Sequence, residues 1–204
     1  TISVISNKGG VGKTHLSINM AYCLAKKGAR VLLIDADLGN ADVSNKLGIF
    51  PKNHLMDFLE NRKKMDELLF HTAYGFDLIA SSYGEFKLAN LYYAQKVKFI
   101  NHFKKISQSY EFAIFDLGAG ISRMVMDFAL AADHTIVVTT PQEVALLDSR
   151  KCVNFAPQGE TPDTRFVLMS LTGSLGDMPV IPEPSTVALL GTGLIALCAW
   201  RRRQ

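Results

Sequence analysis

The chain has 204 residues, enough for one domain with a real core, and its 48% apolar and 20% charged residues match ordinary globular composition. A net charge of +3 gives no argument for a nucleic-acid surface. The cysteines at 23, 152 and 198 have neither metal-ligand spacing nor a disulfide pattern, so a reducing compartment is the default.

The apolar run Ile2 to Ile5 reads as a buried strand. A glycine-rich turn follows, Ser6-Asn7-Lys8-Gly9-Gly10-Val11-Gly12-Lys13-Thr14, and then a helix that stops at Lys26-Lys27-Gly28. Strand, glycine turn and helix are the context of a phosphate-binding loop. Glycines let the backbone approach phosphate oxygens, and the helix N-terminus favours the anion. In such a loop Lys13 reaches the β- and γ-phosphates and the Thr14 hydroxyl ligates Mg2+. The expected phosphate-contacting set is Gly9, Gly10, Val11, Gly12, Lys13, Thr14 and His15.

Val31 to Ile34 suits a parallel strand buried on both faces, and it ends in Asp35-Ala36-Asp37. Ligands bind at the carboxyl ends of such strands. The alternative is that one of the two aspartates only caps the next turn. Phe112-Ala113-Ile114-Phe115-Asp116 matches a Walker B strand, whose carboxylate supports the Mg2+ shell, and Gly118 and Gly120 follow it. Strands are expected at 2–5, 30–34, 76–80, 112–115 and 135–139, with a sixth open at 165–171. Helices are expected near 13–27, 54–60, 88–109, 122–131 and 144–155. The alternation predicts an α/β fold of P-loop type, a mainly parallel sheet with helices on both faces. Arg62-Lys63-Lys64 and the lysines at 96, 98, 104 and 105 read as solvated helix faces. The five histidines form no ligand pattern.

The loop begins with lysine where the common Walker A pattern has glycine. It resembles the deviant Walker A of the MinD/ParA group of ATPases. That resemblance implies an ATP-bound homodimer in which Lys8 contacts the nucleotide of the partner subunit. It implies that Asp35 holds Mg2+ through water and that Asp37 orients the attacking water. The catalytic set is then Lys8, Lys13 and Asp37, and the metal set Thr14, Asp35 and Asp116. The segments Ile34 to Val43, Asp116 to Ser122 and Ala131-Ala132-Asp133 with Val137 to Pro141 are similar to the flagellar-number (FlhG, or YlxH) branch. Asp148 falls where the group has an aspartate in the helix used for dimer and partner contacts. The implied activity is an ATPase that works with an activating protein partner, such as a flagellar GTPase, to position or count a polar structure. A ParA-like partitioning ATPase is the alternative that would need a basic DNA-binding surface; the modest charge argues against nucleic acid.

Residues 1–155 are expected to form the MinD-like domain, and 156–179 a turn-rich linker with the sixth strand. At this point the remainder expected of a MinD-like domain is replaced, so the domain reads as C-terminally truncated. Residues 180–204 hold Pro182-Glu183-Pro184, an apolar run from Val187 to Trp200 and Arg201-Arg202-Arg203. This is similar to a PEP-CTERM sorting signal, which implies a short C-terminal hydrophobic helix and an exported protein. The run is shorter than the ~20 residues that cross a bilayer upright. An ATPase needs cytoplasmic ATP, and the chain opens without a signal peptide. Three arrangements stay open: a sorting tail fused to a truncated ATPase, a membrane contact for a cytoplasmic ATPase, and a buried helix. A nucleotide-binding or membrane-sorted protein without ATPase activity is the non-enzymatic alternative.

Overall fold

The computed structural model describes residues 1–37, 41–82, 93–120, 122–140 and 165–170. The strands are β1 Ile2–Ser6, β2 Val31–Ala36, β3 Phe70–His71, β4 Asp77–Ile79, β5 Phe112–Ala119, β6 His134–Thr139 and β7 Arg165–Ser170. The helices are α1 Lys13–Lys26, α2 Asp42–Leu47, α3 Leu55–Leu59, α4 Tyr93–Ser107 and α5 Arg123–Leu130, with a 3-10 turn at Asp66–Leu68.

One sheet runs in the order β3-β4-β2-β5-β1-β6-β7. Every neighbouring pair is parallel except the edge pair β3–β4. All five expected strands are present, and the sixth is β7, which pairs with β6 from His134↔Arg165 to Thr139↔Ser170. The two-residue β3 and the six-residue α2 lie below the length at which periodicity reveals an element. The helices expected at 13–27, 54–60 and 122–131 appear within a residue or two, and α4 occupies most of 88–109. Residues 88–92, the helix at 144–155 and the tail at 180–204 lie outside the described residues. No described helix is long and apolar enough to cross a membrane.

The continuous apolar strands are what a sheet covered on both faces requires. Along β2 and β5, Leu32, Ile34, Phe115 and Leu117 point to one face, where α3, α4 and α5 supply Phe58, Phe99, Phe103 and Phe128. Val31, Leu33 and Ile114 point to the other, against Leu16, Met20, Cys23 and Leu24 of α1 and Val43 and Leu47 of α2. Cys23 is a buried free thiol on this face. On the first face Phe99 lies edge-on to both Phe115 and Phe128, at 5.8 and 5.1 Å between centroids. Phe99 is 2% exposed, so Phe99→Ala leaves a cavity between two rings and is expected to cost about 3–5 kcal/mol in urea unfolding. A loss below about 1 kcal/mol would mean that this ring cluster does not hold α4 to the sheet.

The basic stretch Arg62-Lys63-Lys64 does not sit on a helix. It forms a turn after α3, because Asn61 takes a left-handed conformation (φ 62°) and ends the helical path. The Asp57 carbonyl then accepts both the Arg62 and Lys63 N–H groups, at 2.7 and 3.1 Å.

Candidate functional site

The site lies at the carboxyl ends of β1, β5 and β2, three adjacent strands in the middle of the sheet. Between β1 and α1 the chain turns through Gly10 at φ +76° and Gly12 at φ +96°, values that L side chains rarely adopt. The Ser6 hydroxyl donates to the Lys8 carbonyl at 2.8 Å and holds the start of the turn. Gly12 is the left-handed N-cap of α1, and no side chain caps the helix. The N–H groups of the first turn, which includes Lys13, Thr14 and His15, are thus available to an anion. Lys8, Gly9 and Gly10 are exposed, whereas Lys13 and Thr14 are buried. His15 is half-buried; burial lowers its pKa and the Lys46 charge lowers it further, which favours a neutral imidazole.

Asp35 and Asp116 face each other in register across β2 and β5, and both are fully buried. Burial pushes the Asp116 carboxyl up, while the Lys13 charge and the Thr14 and Ser17 hydroxyls pull it down. Ser17 Oγ donates to Asp116 Oδ1 at 3.1 Å. The Thr14 hydroxyl is near enough to favour the ionised form but makes no hydrogen bond of good geometry, and Asp116 Oδ2 has no partner. Asp35 is pushed well above the ordinary carboxylate range, by burial first and by the neighbouring Asp116 charge second. Its two oxygens accept the N–H groups of Asp37 and Val43, each at 3.2 Å. Val43 is in the first turn of α2, so Asp35 caps that helix as well as facing Asp116.

Asp37 follows β2, where its carbonyl accepts the Ser81 hydroxyl at 2.9 Å. A Cβ added at Gly118 would lie 3.2 Å from Asp37 Oδ1, so a larger residue there would press on the Asp37 carboxylate. The β1–β5 register shifts here: Val4 pairs with Asp116, but Ser6 pairs with Ala119. That bulge re-aims the end of β5, and Gly120 N–H donates back to the Ser6 carbonyl at 2.8 Å.

The fold therefore gathers Lys13, Thr14, Asp35, Asp37 and Asp116 at one end of the sheet, with Lys8 on the exposed rim. A buried carboxylate oxygen without a partner, a threonine hydroxyl and a second carboxylate form an all-oxygen donor set that fits Mg2+. Asp148 lies outside the described residues. Sequence reasoning passed over Ser17, although its position one helical turn after Lys13 and Thr14 puts it on the same face of α1.

The AAA-domain family model matches residues 1–156, and the PEP-CTERM protein-sorting motif matches residues 180–203. The chain is 35% identical over 148 residues to the antiactivator FleN of Pseudomonas aeruginosa, covering 72% of this chain and 53% of that protein. It is 30% identical over 170 residues to the flagellum site-determining protein YlxH of Helicobacter pylori, covering 83% and 57%. The chain thus spans a little over half the length of these two relatives. Its fold matches the septum site-determining protein MinD complexed with Mg-ADP from Pyrococcus horikoshii OT3, with a TM-score of 0.71 and 25% identity, over 91% of this chain and 74% of that one.

Proposed function

The chain belongs to the AAA-domain family, as a MinD/ParA-type ATPase of the FleN/YlxH (FlhG) branch with a PEP-CTERM motif, and on that premise we propose that it is an Mg2+-dependent ATP switch that dimerises and controls the position or number of a polar structure such as flagella. The observation that carries this reading is the unpartnered, buried Asp116 Oδ2 beside Lys13 and Thr14. A fully buried acceptor without a partner is costly, and it suits a site completed by a ligand.

Lys13 and the N–H groups from Gly9 to His15 bind the phosphates. Thr14 and Asp116 hold Mg2+, with Asp35 acting through water. When bound, Mg2+ neutralises charge on the β- and γ-phosphate oxygens. Asp37 orients the attacking water, and Gly118 leaves room for its carboxylate. Lys8 is exposed and so can cross to the nucleotide of a second copy. Turnover depends on an activating protein partner. The ATPase works in the cytoplasm, where ATP and Mg2+ are supplied, and the segment at 180–204 gives it a membrane contact.

The test uses the full chain in size-exclusion chromatography with light scattering. Wild type is expected to dimerise with Mg-ATP and to remain monomeric with Mg-ADP. Lys8→Ala should stay monomeric with ATP yet bind it within about threefold of wild type, since an exposed charge contributes little within one subunit. A Lys8→Ala protein that still dimerises on ATP would remove the cross-subunit role.

A further inference from the structure

A groove of about 740 Å3 lies between the turn after α3 and the C-terminal half of α4. That half of α4 leads into the start of β5, so the groove sits toward the end of the sheet opposite Asp35 and Asp116. Its apolar lining is Phe58, Met65 and Ile106. Five basic side chains line it: Arg62, Lys63, Lys64, Lys98 and Lys105; His102 also faces it.

Most of this architecture is held in place. Arg62 pairs with Asp57 and Glu60, and Lys63 pairs with Glu67. Lys98 Nζ donates to Asn61 Oδ1 at 2.6 Å and to the Phe58 carbonyl at 3.2 Å, and it lies 4.2 Å from the centre of the Phe58 ring. Lys98 thus forms no ion pair with a carboxylate among the described residues. Lys64 and Lys105 are exposed and form no ion pair among the described residues. The Lys64 charge acts on Glu67, whose Oε2 accepts the Lys64 N–H at 2.8 Å, while Lys98 and Lys105 form no ion pair among the described residues.

We propose that this groove binds an acidic segment of a partner protein, with carboxylates on Lys64, Lys98 and Lys105 and an apolar side chain against Ile106. A groove of this size accepts a few side chains of a peptide. Its concave shape suits a peptide better than the flat phosphate surface of a membrane. Asp66 and Glu67 on one wall would repel a continuous row of phosphates, whereas a peptide can space its carboxylates to avoid them. The overall charge of +3 is also too small for the counterion-release binding that duplex DNA demands. Nothing in this reading depends on the nucleotide site, so the test is done without nucleotide.

The probe is a short fluorescein-labelled peptide of glutamate, leucine and phenylalanine, titrated with the full chain at low salt and followed by anisotropy. Wild type should saturate as a single site, and binding should weaken with added salt. The double variant Lys64→Glu/Lys105→Glu should bind at least about tenfold more weakly, as expected for reversing close interfacial charges. Lys64→Ala/Lys105→Ala, which introduces no repulsion, should show a smaller loss, and it decides the matter if the first variant fails to fold. A peptide with lysine in place of glutamate should not bind. Absence of saturable binding, or equal binding by the alanine variant, overturns the proposal. So does competition by phosphatidylglycerol vesicles or duplex DNA that is itself lost in the variants, since the groove would then serve phosphates.

Discussion

Lys13→Ala is expected to weaken Mg-ATP binding by about 100-fold or more, the size of effect that follows when one partner of a buried charge pair is removed. Isothermal titration calorimetry on the full chain reads it directly. Lys13 is 8% exposed, and its ammonium is the main favourable charge near Asp116. Without it, phosphate would meet a buried carboxylate pair with only backbone N–H groups to offset the repulsion. Circular dichroism and thermal melting must show a folded variant, because the same substitution pushes Asp116 further toward its protonated form. Unchanged affinity in a folded variant would mean that the nucleotide is held elsewhere and that the glycine turn serves structure alone.

The second large effect has the opposite sign for stability and for function. Asp116→Asn is expected to raise the melting temperature of the nucleotide-free protein at neutral pH while abolishing Mg2+-dependent ATP turnover. A carboxyl whose folded pKa lies above its unfolded value binds its proton more tightly when folded. It adds stability below the unfolded pKa, and that stability is lost as pH rises through the folded pKa. Burial is the largest influence on Asp116, and the net shift from the ordinary 3.8 is upward despite Lys13. Asp35 shifts the same way. The nucleotide-free protein should therefore lose stability as pH rises from about 4 toward neutrality. The asparagine variant should lose less. Each kcal/mol recovered corresponds to about 2–4 °C in a chain of this size. The gain should shrink as pH falls toward the unfolded value, because wild type then takes up the proton that its raised folded pKa favours. A lower melting temperature for Asp116→Asn at neutral pH would show that attraction to Lys13 outweighs desolvation, and the strained-site reading would fall. The trade is the usual one for a site assembled for a ligand.

The parts of the site that were legible in the sequence are those where one residue type is forced by chemistry. Gly10 and Gly12 must take positive φ, and the apolar runs of β2 and β5 end in Asp35 and Asp116 because buried parallel strands present ligands at that end. What stayed hidden depends on register and packing. The apolar run ends at Phe115, but β5 continues to Ala119: Leu117 pairs with Ala36 of β2, and beyond the bulge Ala119 pairs with Ser6 of β1. The second function of Asp35, accepting the Val43 N–H, was open only as an alternative because α2 is too short to announce itself. Ser17 looked like any polar residue of an amphipathic helix until β5 brought Asp116 to it. No glycine or proline marks the turn at Arg62 to Lys64 in the sequence; Asn61 ends the helix there in the left-handed region.

The strand order carries a consequence for how the protein is made. β5 lies between β1 and β2, yet it follows both by a long stretch of chain. As synthesis proceeds, the phosphate loop and Asp35 emerge early, with the gap between their strands unfilled. Closing that gap pairs Val4 with Asp116 and Leu33 with Ile114, contacts of high sequence separation that are slow to form. The last strand to enter the centre also carries the last buried carboxylate. Lys13, Asp35 and Asp116 therefore come together only once β5 has entered, so a completed site is itself the mark of a closed sheet.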